Sequence, residues 1–209
     1  KDIVAGDFYW LEKTKDTTLF AVADCTGHGV PGAMVSVICN NGLNRSVREH
    51  KITQPSKILD KTREIVIQEF AKSSENIQDG MDIALCSINR NKLSFAGANN
   101  PLILIRDNQV IKVKGDQQPI GSHITKEDFT SHSLEIEKDD MIYIFTDGFV
   151  DQFGGKKGKK YKLANLLTLL TSISTKALSE QNTILKQEFV SWKGTEDQID
   201  DVCVMGIRV

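Results

Sequence analysis

Aspartates stand in four turns that adjoin short apolar segments, and this repeated placement constrains the fold more than any other feature. The turns are Gly6-Asp7, Asp24-Cys25, Asp147-Gly148 and Asp200-Asp201. Taken singly, an aspartate at a strand end is most often a turn former or a helix cap. Carboxylates that are brought together repel one another, and burial increases the repulsion unless cations neutralise them. Oxygen ligands without histidine or thiolate favour Mg²⁺ or Mn²⁺, so the pattern predicts a site for hard divalent cations where core strands end.

The composition argues against several other classes of protein. The chain has 209 residues, a net charge of −2 and 40% hydrophobic residues, which is the ordinary balance of a soluble globular protein and gives no reason to expect nucleic acid as a partner. No apolar run approaches the roughly 20 residues of a membrane helix, so we expect no direct membrane contact. The cysteines form no CxxC pair, which argues against zinc or disulfide frameworks and favours a cytoplasmic location; they are Cys25, Cys39, Cys86 and Cys203.

The chain is expected to form a single domain over residues 1–209, because it contains neither an internal repeat nor a low-complexity linker. It opens on Lys1 rather than a methionine, which indicates a segment of a longer polypeptide. A sensor or a membrane anchor could lie upstream. We therefore expect this domain to be the C-terminal output part of a signalling protein.

The order of predicted helices and strands indicates an α+β fold. Helices are expected after Pro31 and after Pro55, where apolar residues recur at helical spacing. The second should turn Ile58, Leu59, Thr62, Ile65, Val66 and Phe70 inward, while Asn40-Asn41-Gly42 should interrupt the first. The remaining predictions are strands over 19–23, 81–88, 92–97, 102–106, 110–114, 141–145 and 202–209, and helices over 163–173 and 177–190. A two-sheet antiparallel β-sandwich flanked by helices, in α-β-β-α layers, would bury these elements economically.

A set of motifs spread over the whole chain then resembles a known family. The opening motifs are Ala5-Gly6-Asp7-Phe8-Tyr9 and the stretch from Val22 through Asp24-Cys25-Thr26-Gly27-His28-Gly29 to Ala33. Asp79-Gly80-Met81-Asp82, Ala96-Gly97-Ala98-Asn99-Asn100-Pro101, Pro119-Ile120-Gly121, Thr146-Asp147-Gly148 and Asp200-Asp201-Val202 follow in order. The set resembles the SpoIIE-like phosphatases, the bacterial branch of the metal-dependent PPM (protein phosphatase 2C) family of Ser/Thr protein phosphatases.

The resemblance assigns roles to individual positions. Asp24 matches the carboxylate that bridges two metal ions, and Cys25 matches a position that gives a backbone carbonyl. Asp147 and Asp200 match ligands of one ion, while Asp7 serves the other directly or through water. A metal-bridging water would then attack phosphorus in line, without a phosphoenzyme, so Asp24 and Asp147 act catalytically through the metals. Asp151, completed by Asp79 or Asp82, is a candidate for a third ion, with a surface acid as the equal alternative.

Other positions carry over poorly. Gly6 stands where the eukaryotic branch has a second acid, and that branch's upstream arginine has no counterpart in this chain. His28 is a candidate general acid, but a histidine near a helix start is the favoured interpretation. Cys25 lacks the CxxxxxR loop of cysteine phosphatases. The lysine-rich run 156–162 could attract phosphorylated substrates or form a solvated loop.

The resemblance implies a Mn²⁺- or Mg²⁺-dependent phosphatase with a phosphorylated anti-sigma-factor antagonist, or a similar signalling protein, as substrate. A non-catalytic partner-binding module and a small-molecule phosphomonoesterase are the alternatives. The resemblance further implies that an upstream domain or partner moves the helices after Pro31 and Pro55, and with them the Asp24 turn. Asn44, Arg45, Arg48 and Glu49 are expected to offer a polar outer face for that partner. The isolated domain would then be poorly active.

Overall fold

The computed structural model describes residues 4–72, 79–123 and 127–209, which form two large antiparallel sheets, a two-stranded ribbon of Phe153–Gly154 and Lys159–Lys160, and helices outside the large sheets. The strands are β1 (Phe8–Lys13), β2 (Thr18–Cys25), β3 (Met81–Asn89), β4 (Lys92–Ala98), β5 (Leu102–Arg106), β6 (Gln109–Val113), β7 (His132–Glu135), β8 (Met141–Phe145), β9 (Phe153–Gly154), β10 (Lys159–Lys160) and β11 (Val204–Arg208). The helices are α1 (Gly29–Arg48), α2 (Pro55–Phe70), α3 (Gly148–Asp151), α4 (Leu163–Ile173) and α5 (Leu178–Lys193).

The first sheet contains five strands in the order β1-β2-β3-β4-β7, and the second contains four in the order β11-β8-β5-β6. All of their ladders are antiparallel. Tight hairpins keep several strands adjacent. The β5–β6 turn, for example, is the two-residue loop Asp107-Asn108, in which both residues have positive φ, 48° and 60°. Such a turn matches the twist of the strands that it joins.

Alternation of side chains along β2 shows how the layers are stacked. Leu19, Ala21 and Ala23 point towards α1 and α2, whereas Phe20 and Val22 point into the space between the sheets. A third apolar cluster lies between the second sheet and the helices α4 and α5. The α-β-β-α sandwich predicted from the sequence is therefore confirmed.

Helix α1 differs from the prediction at Asn40-Asn41-Gly42. It runs without interruption through Asn40-Asn41-Gly42, because Gly42 is buried against α2, where an added Cβ would lie 3.1 Å from the Thr62 methyl group. The apolar residues Val30, Met34 and Val37 are exposed. The buried face is instead built largely of small residues, among them Gly32, Cys39, Gly42 and Ser46, since the neighbouring helix packs closely.

The polar residues expected to form a free outer face on α1 are partly engaged within the domain. Asn44 accepts a hydrogen bond from the Trp10 indole at 3.0 Å, and Arg48 pairs with Glu12 at 2.6 Å. Both contacts tie α1 to β1. Arg45 lies 3.3 Å from Glu69 of α2. The inward residues predicted for α2 are confirmed, with Phe70 only partly buried. No helix in the described ranges is both long and apolar enough to cross a membrane.

Candidate metal centre

Three aspartates lie side by side on adjacent strands at one end of the first sheet. Asp24 of β2 is paired with Asp82 of β3 in the ladder. On the other side, the pair Phe8–Ala23 ends the β1 ladder, so Asp7 follows next to Asp24. The three side chains share the side of the sheet that holds Phe20 and Val22, because they keep the same two-residue alternation. They therefore enter the mouth of the space between the two sheets.

The second sheet brings its own acids to this mouth. Asp147 lies two residues after the end of β8, at the N-cap position of α3, and Asp200 stands in the segment before β11. Thr146 joins the two groups, because its hydroxyl donates to Asp7 Oδ2 at 2.6 Å and accepts the Cys203 backbone N–H at 3.0 Å. The Thr146–Asp7 hydrogen bond connects residues 139 positions apart in sequence.

Close backbone packing holds these segments together. The Gly6 N–H donates to Asp201 Oδ2 at 2.8 Å, which fixes the segment carrying Asp7 against the segment carrying Asp200. A Cβ at Gly148 would overlap the Asp201 backbone carbonyl oxygen, so only glycine allows Asp147 to approach this closely. Asp200 was predicted as a site residue, whereas Asp201, Thr146 and Gly6 were not predicted as positioning residues, although all three lie within the motifs that carry the resemblance.

The electrostatics of the site are those of crowded carboxylates. Desolvation, together with the charges of Asp7, Asp147, Asp200 and Asp82, raises the pKa of Asp24 to about 9. Desolvation also raises the pKa of Asp7 to about 6, although the Thr146 hydrogen bond opposes the shift. Partial desolvation and the charge of Asp151 raise the pKa of Asp147 as well. A bound cation would relieve this repulsion.

The donor set fits hard divalent cations in kind, since it consists of carboxylate oxygens and the nearby Cys25 carbonyl, which would lie 3.3 Å from a Cβ at Gly6. Within the described ranges, no group of three His, Cys, Asp or Glu side chains is already arranged to hold one ion. Ion binding would therefore draw the carboxylates together. Their mutual effect on pKa indicates that they lie close enough to do so.

The other candidate residues differ in their placement. The Cys25 thiol is buried against Cys39. The hydrogen bond between the two thiols, followed by desolvation, raises the pKa of Cys25, which leaves it unsuited to act as a nucleophile.

His28 is exposed and stands at the start of α1, as the favoured interpretation predicted. Asp151 lies near Asp147 but pairs with Lys160 at 2.8 Å. Asp82 accepts a hydrogen bond from Asn99 at 2.7 Å.

A cavity of about 380 Å³ opens over the centre. Asp24, Asp82 and Asp200 form its acidic wall. Its rim includes the exposed segment Thr26–His28, and Pro119 also lines it. The cavity thus contains both carboxylates and exposed backbone.

Comparisons with known proteins find similar sequences and similar structures. Phosphoserine phosphatase RsbU of Bacillus subtilis is 27% identical over 157 residues, which cover 71% of this chain but only 43% of RsbU. The chain thus spans less than half the length of that relative. The SiaA-PP2C domain of Pseudomonas aeruginosa superposes with a TM-score of 0.91 at 27% identity and covers 100% of this chain and 82% of that one. The PP2C phosphatase domain of SpoIIE from Bacillus subtilis superposes with a TM-score of 0.78 at 18% identity, and the match covers 100% of this chain and 59% of that one.

The match to a family model extends over most of the sequence. The model described as Stage II sporulation protein E (SpoIIE) matches residues 14–209. That range contains Asp24, Asp82, Asp147 and Asp200, four of the five acids that meet at the mouth between the sheets. The chain belongs to the SpoIIE family.

Proposed function

We propose that this domain hydrolyses phosphoserine or phosphothreonine in a protein substrate, in a reaction that depends on divalent cations. The observation that carries the proposal is the row Asp7–Asp24–Asp82 across three adjacent strands, which meets Asp147 and Asp200 from the other sheet. A protein gains nothing in stability from like charges placed directly opposite one another. Like charges that lie together at a cavity usually mark a functional site.

Two ions, Mn²⁺ or Mg²⁺, would be held by Asp7, Asp24, the Cys25 carbonyl, Asp147 and Asp200. Asp151 and Asp82 are the candidates for an additional ion. When bound, such ions neutralise phosphoryl oxygens and lower the pKa of water. The chain's own part is to fix the donors: Thr146 orients Asp7, and the Gly6–Asp201 bond aligns the segment that carries Asp200.

The proposed substrate class is supported by the relatives and by the shape of the site. RsbU carries the name phosphoserine phosphatase. The rim formed by Thr26, Gly27 and His28 is exposed, so a phosphorylated side chain could reach the carboxylates while its protein remains outside. A small phosphorylated signalling protein, such as an anti-sigma-factor antagonist, is the substrate that we propose.

An upstream regulatory domain in the same polypeptide is the second partner that we propose. The SpoIIE structure is described as the phosphatase domain with a fragment of the regulatory domain, and another match contains the RsbU and RsbW domains of Rv1364c from Mycobacterium tuberculosis. The present chain covers 59% and 56% of those two chains. Such arrangements support an output role for this domain.

The direct test is turnover of p-nitrophenyl phosphate with Mn²⁺, with Mg²⁺ and with EDTA, followed by phosphoserine and phosphothreonine peptides. We expect metal-dependent turnover that Asp24→Asn abolishes. A thermal shift produced by Mn²⁺ in the wild type but not in Asp24→Asn would report ion binding independently of activity. Metal binding without turnover of any phosphorylated substrate would favour a non-catalytic module instead.

A further inference from the structure

A second cavity has Asp147 in its lining. Its volume is about 290 Å³, and it lies between the end of β6 and the start of α4. Its lining includes Lys112 and Lys114, the apolar residues Val150 and Leu163, and Asp147. Asp147 thus connects this cavity to the proposed metal centre.

The two lysines are arranged for a ligand with repeated charge. They are two residues apart at the end of an edge strand, so both side chains leave the same face about 6.6 Å apart. Both are exposed. In the described ranges neither forms an ion pair, whereas Arg106, which ends the neighbouring strand, is fully engaged by Asp140 and Glu137. Two unpaired cations at this spacing match the alternate side chains of an extended peptide.

Two acids near the cavity have partners of their own, which leaves the lysines free to meet a ligand. Asp116, the acid nearest to Lys114 in sequence, has both carboxylate oxygens hydrogen-bonded to Thr130 at 2.7 Å. Asp151 is occupied by Lys160. The lysine-rich run 156–162 is exposed except for Tyr161.

The seam between β6 and α4 continues beyond the lysines. A further cavity of about 600 Å³ is lined there by Val110 of β6, by Leu167 and Thr168 of α4 and by other uncharged residues. Leu163 and Leu167 are one helical turn apart, so the two cavities follow the same side of α4. An extended chain could thus run from Asp147 past the lysines and onto an uncharged surface.

We propose that the cavity with Lys112 and Lys114 binds an acidic stretch of the protein substrate beside its phosphorylated residue. The site selects substrates in which aspartate or glutamate occupies alternate positions near the phosphoserine or phosphothreonine. Acidic residues there meet the lysines while the phosphoryl group lies at the carboxylate cluster. This inference deepens the proposed function and depends on it for the place of the phosphoryl group.

The test compares three phosphoserine peptides of equal length in the presence of Mn²⁺. One carries glutamates at alternate positions N-terminal to the phosphoserine, one carries them C-terminal to it, and one has glutamine at all these positions. The readout is the ratio of kcat/KM for each acidic peptide to that for the neutral peptide. Because the ratio is taken within one protein, changes in overall activity cancel.

We expect the wild-type domain to prefer one acidic peptide by about 3- to 10-fold, the effect of two exposed ion pairs, and to lose this preference at high salt. In the double variant Lys112→Glu/Lys114→Glu the ratio should fall to one or below. The matched control is Lys138→Glu/Lys186→Glu, which makes the same charge change at exposed lysines before β8 and on α5. It should keep the wild-type ratio.

The outcomes separate this inference from the proposed function. Turnover of all three peptides at equal kcat/KM, or an equal loss of preference in both double variants, would overturn the binding site. Absence of turnover with every peptide would instead count against the proposed function. Fluorescence anisotropy of the same labelled peptides would then decide the inference: tighter binding of an acidic peptide, lost only with Lys112→Glu/Lys114→Glu, would support it, and equal binding would overturn it.

Discussion

Asp24 and Asp82 face each other as a direct pair across the β2–β3 ladder, at the end of two strands whose inner residues are apolar on both faces. Carboxylates placed opposite one another destabilise a sheet. The pKa of Asp24 rises to about 9, with desolvation as the first cause and four neighbouring aspartates as the others. The crowded carboxylates therefore lower the stability of the sheet at this point and form a site that attracts cations.

The first prediction concerns Asp24, the central residue of this carboxylate cluster. Asp24→Asn should lower turnover of p-nitrophenyl phosphate by about 10³-fold or more, because the central acidic ligand is lost. In EDTA the same variant should melt at a higher temperature than the wild type, because the amide is neutral without a proton, whereas the Asp24 carboxyl group, with its pKa of about 9, must bind one on folding at pH 7. Calorimetry at pH 7 and steady-state kinetics with Mn²⁺ check the two effects. Near-normal activity would place the chemistry elsewhere.

The second prediction concerns Thr146 as a positioning residue for Asp7. Thr146→Val keeps the side-chain shape but removes the hydroxyl that donates to Asp7 Oδ2 at 2.6 Å. We expect the affinity for Mn²⁺, measured by calorimetric titration, to fall about 10- to 100-fold, as for other groups that orient metal ligands.

Thr146→Ser is the matched control, since it retains the hydroxyl and should retain most of the affinity. If Thr146→Val lowers the melting temperature but leaves Mn²⁺ affinity intact, Thr146 supports only the fold. If the serine variant loses as much affinity as the valine variant, the hydroxyl is not what orients Asp7.

Much of the fold could be predicted from the sequence because its inner elements are strongly apolar. β5, β8 and α4 have the predicted boundaries: each forms a continuous apolar or amphipathic segment with clear ends. β1 was missed because it is an edge strand, and its side chains Tyr9 and Leu11 are exposed. Local pattern cannot distinguish such a strand from a loop, because the neighbour that pairs with it lies elsewhere in the sequence.

The candidate site could likewise be predicted only in part. Asp7, Asp24, Asp147 and Asp200 could be chosen because each ends or precedes an apolar segment and belongs to a motif of a known family. Asp201 could not be given its role, because its partner, the Gly6 N–H, is 195 residues away. The buried face of α1 was hidden for a related reason. Small residues such as Gly42 and Ser46 carry little hydrophobic signal, and only the approach of α2 explains them.

The third prediction concerns an ion pair outside the site. Arg106 donates to both oxygens of Asp140, at 2.8 and 2.6 Å, and Asp140 is almost fully buried. Asp140→Asn should lower the free energy of unfolding by about 2–4 kcal/mol, because one partner of a largely buried pair is lost. Glu137→Gln removes an exposed partner of the same arginine and should change it by less than about 1 kcal/mol. Urea unfolding at pH 7 measures both.

The pH dependence of that pair has a definite sign. The hydrogen bond from Arg106 lowers the pKa of Asp140, although desolvation opposes the shift. A depressed carboxyl pKa contributes stability that is fully present above the unfolded-state value of about 3.9 and is lost as the pH falls through the folded-state value. The difference between wild type and Asp140→Asn should therefore shrink below about pH 4. A difference that remains constant down to pH 2 would contradict the assignment.

The last prediction tests whether α1 sets the state of the metal centre, as the resemblance to SpoIIE-like phosphatases implies. α1 begins at Gly29, five residues after Asp24, and a Cβ at Gly32 would overlap the Gly27 carbonyl oxygen in the Asp24 turn. At its other end α1 packs on α2 through Gly42. A displacement of α1 on α2 would therefore reach Asp24 through a tightly packed turn.

Gly42→Val should displace α1 from α2 and change the affinity for Mn²⁺ at least several-fold, whereas Asn41→Ala, one residue away on the exposed side, should leave it unchanged. The intact protein with its signal present should bind Mn²⁺ more tightly and turn over faster than this domain alone, because an upstream domain would hold α1 in the active position. Calorimetric titration and kcat for the four proteins provide the comparison. Equal Mn²⁺ affinity in Gly42→Val and wild type, together with equal kcat in the domain and the intact protein, would mean that α1 and α2 only cover the sheet. Because Gly32 packs directly on the Asp24 turn, we expect the Mn²⁺ affinity and kcat to differ instead.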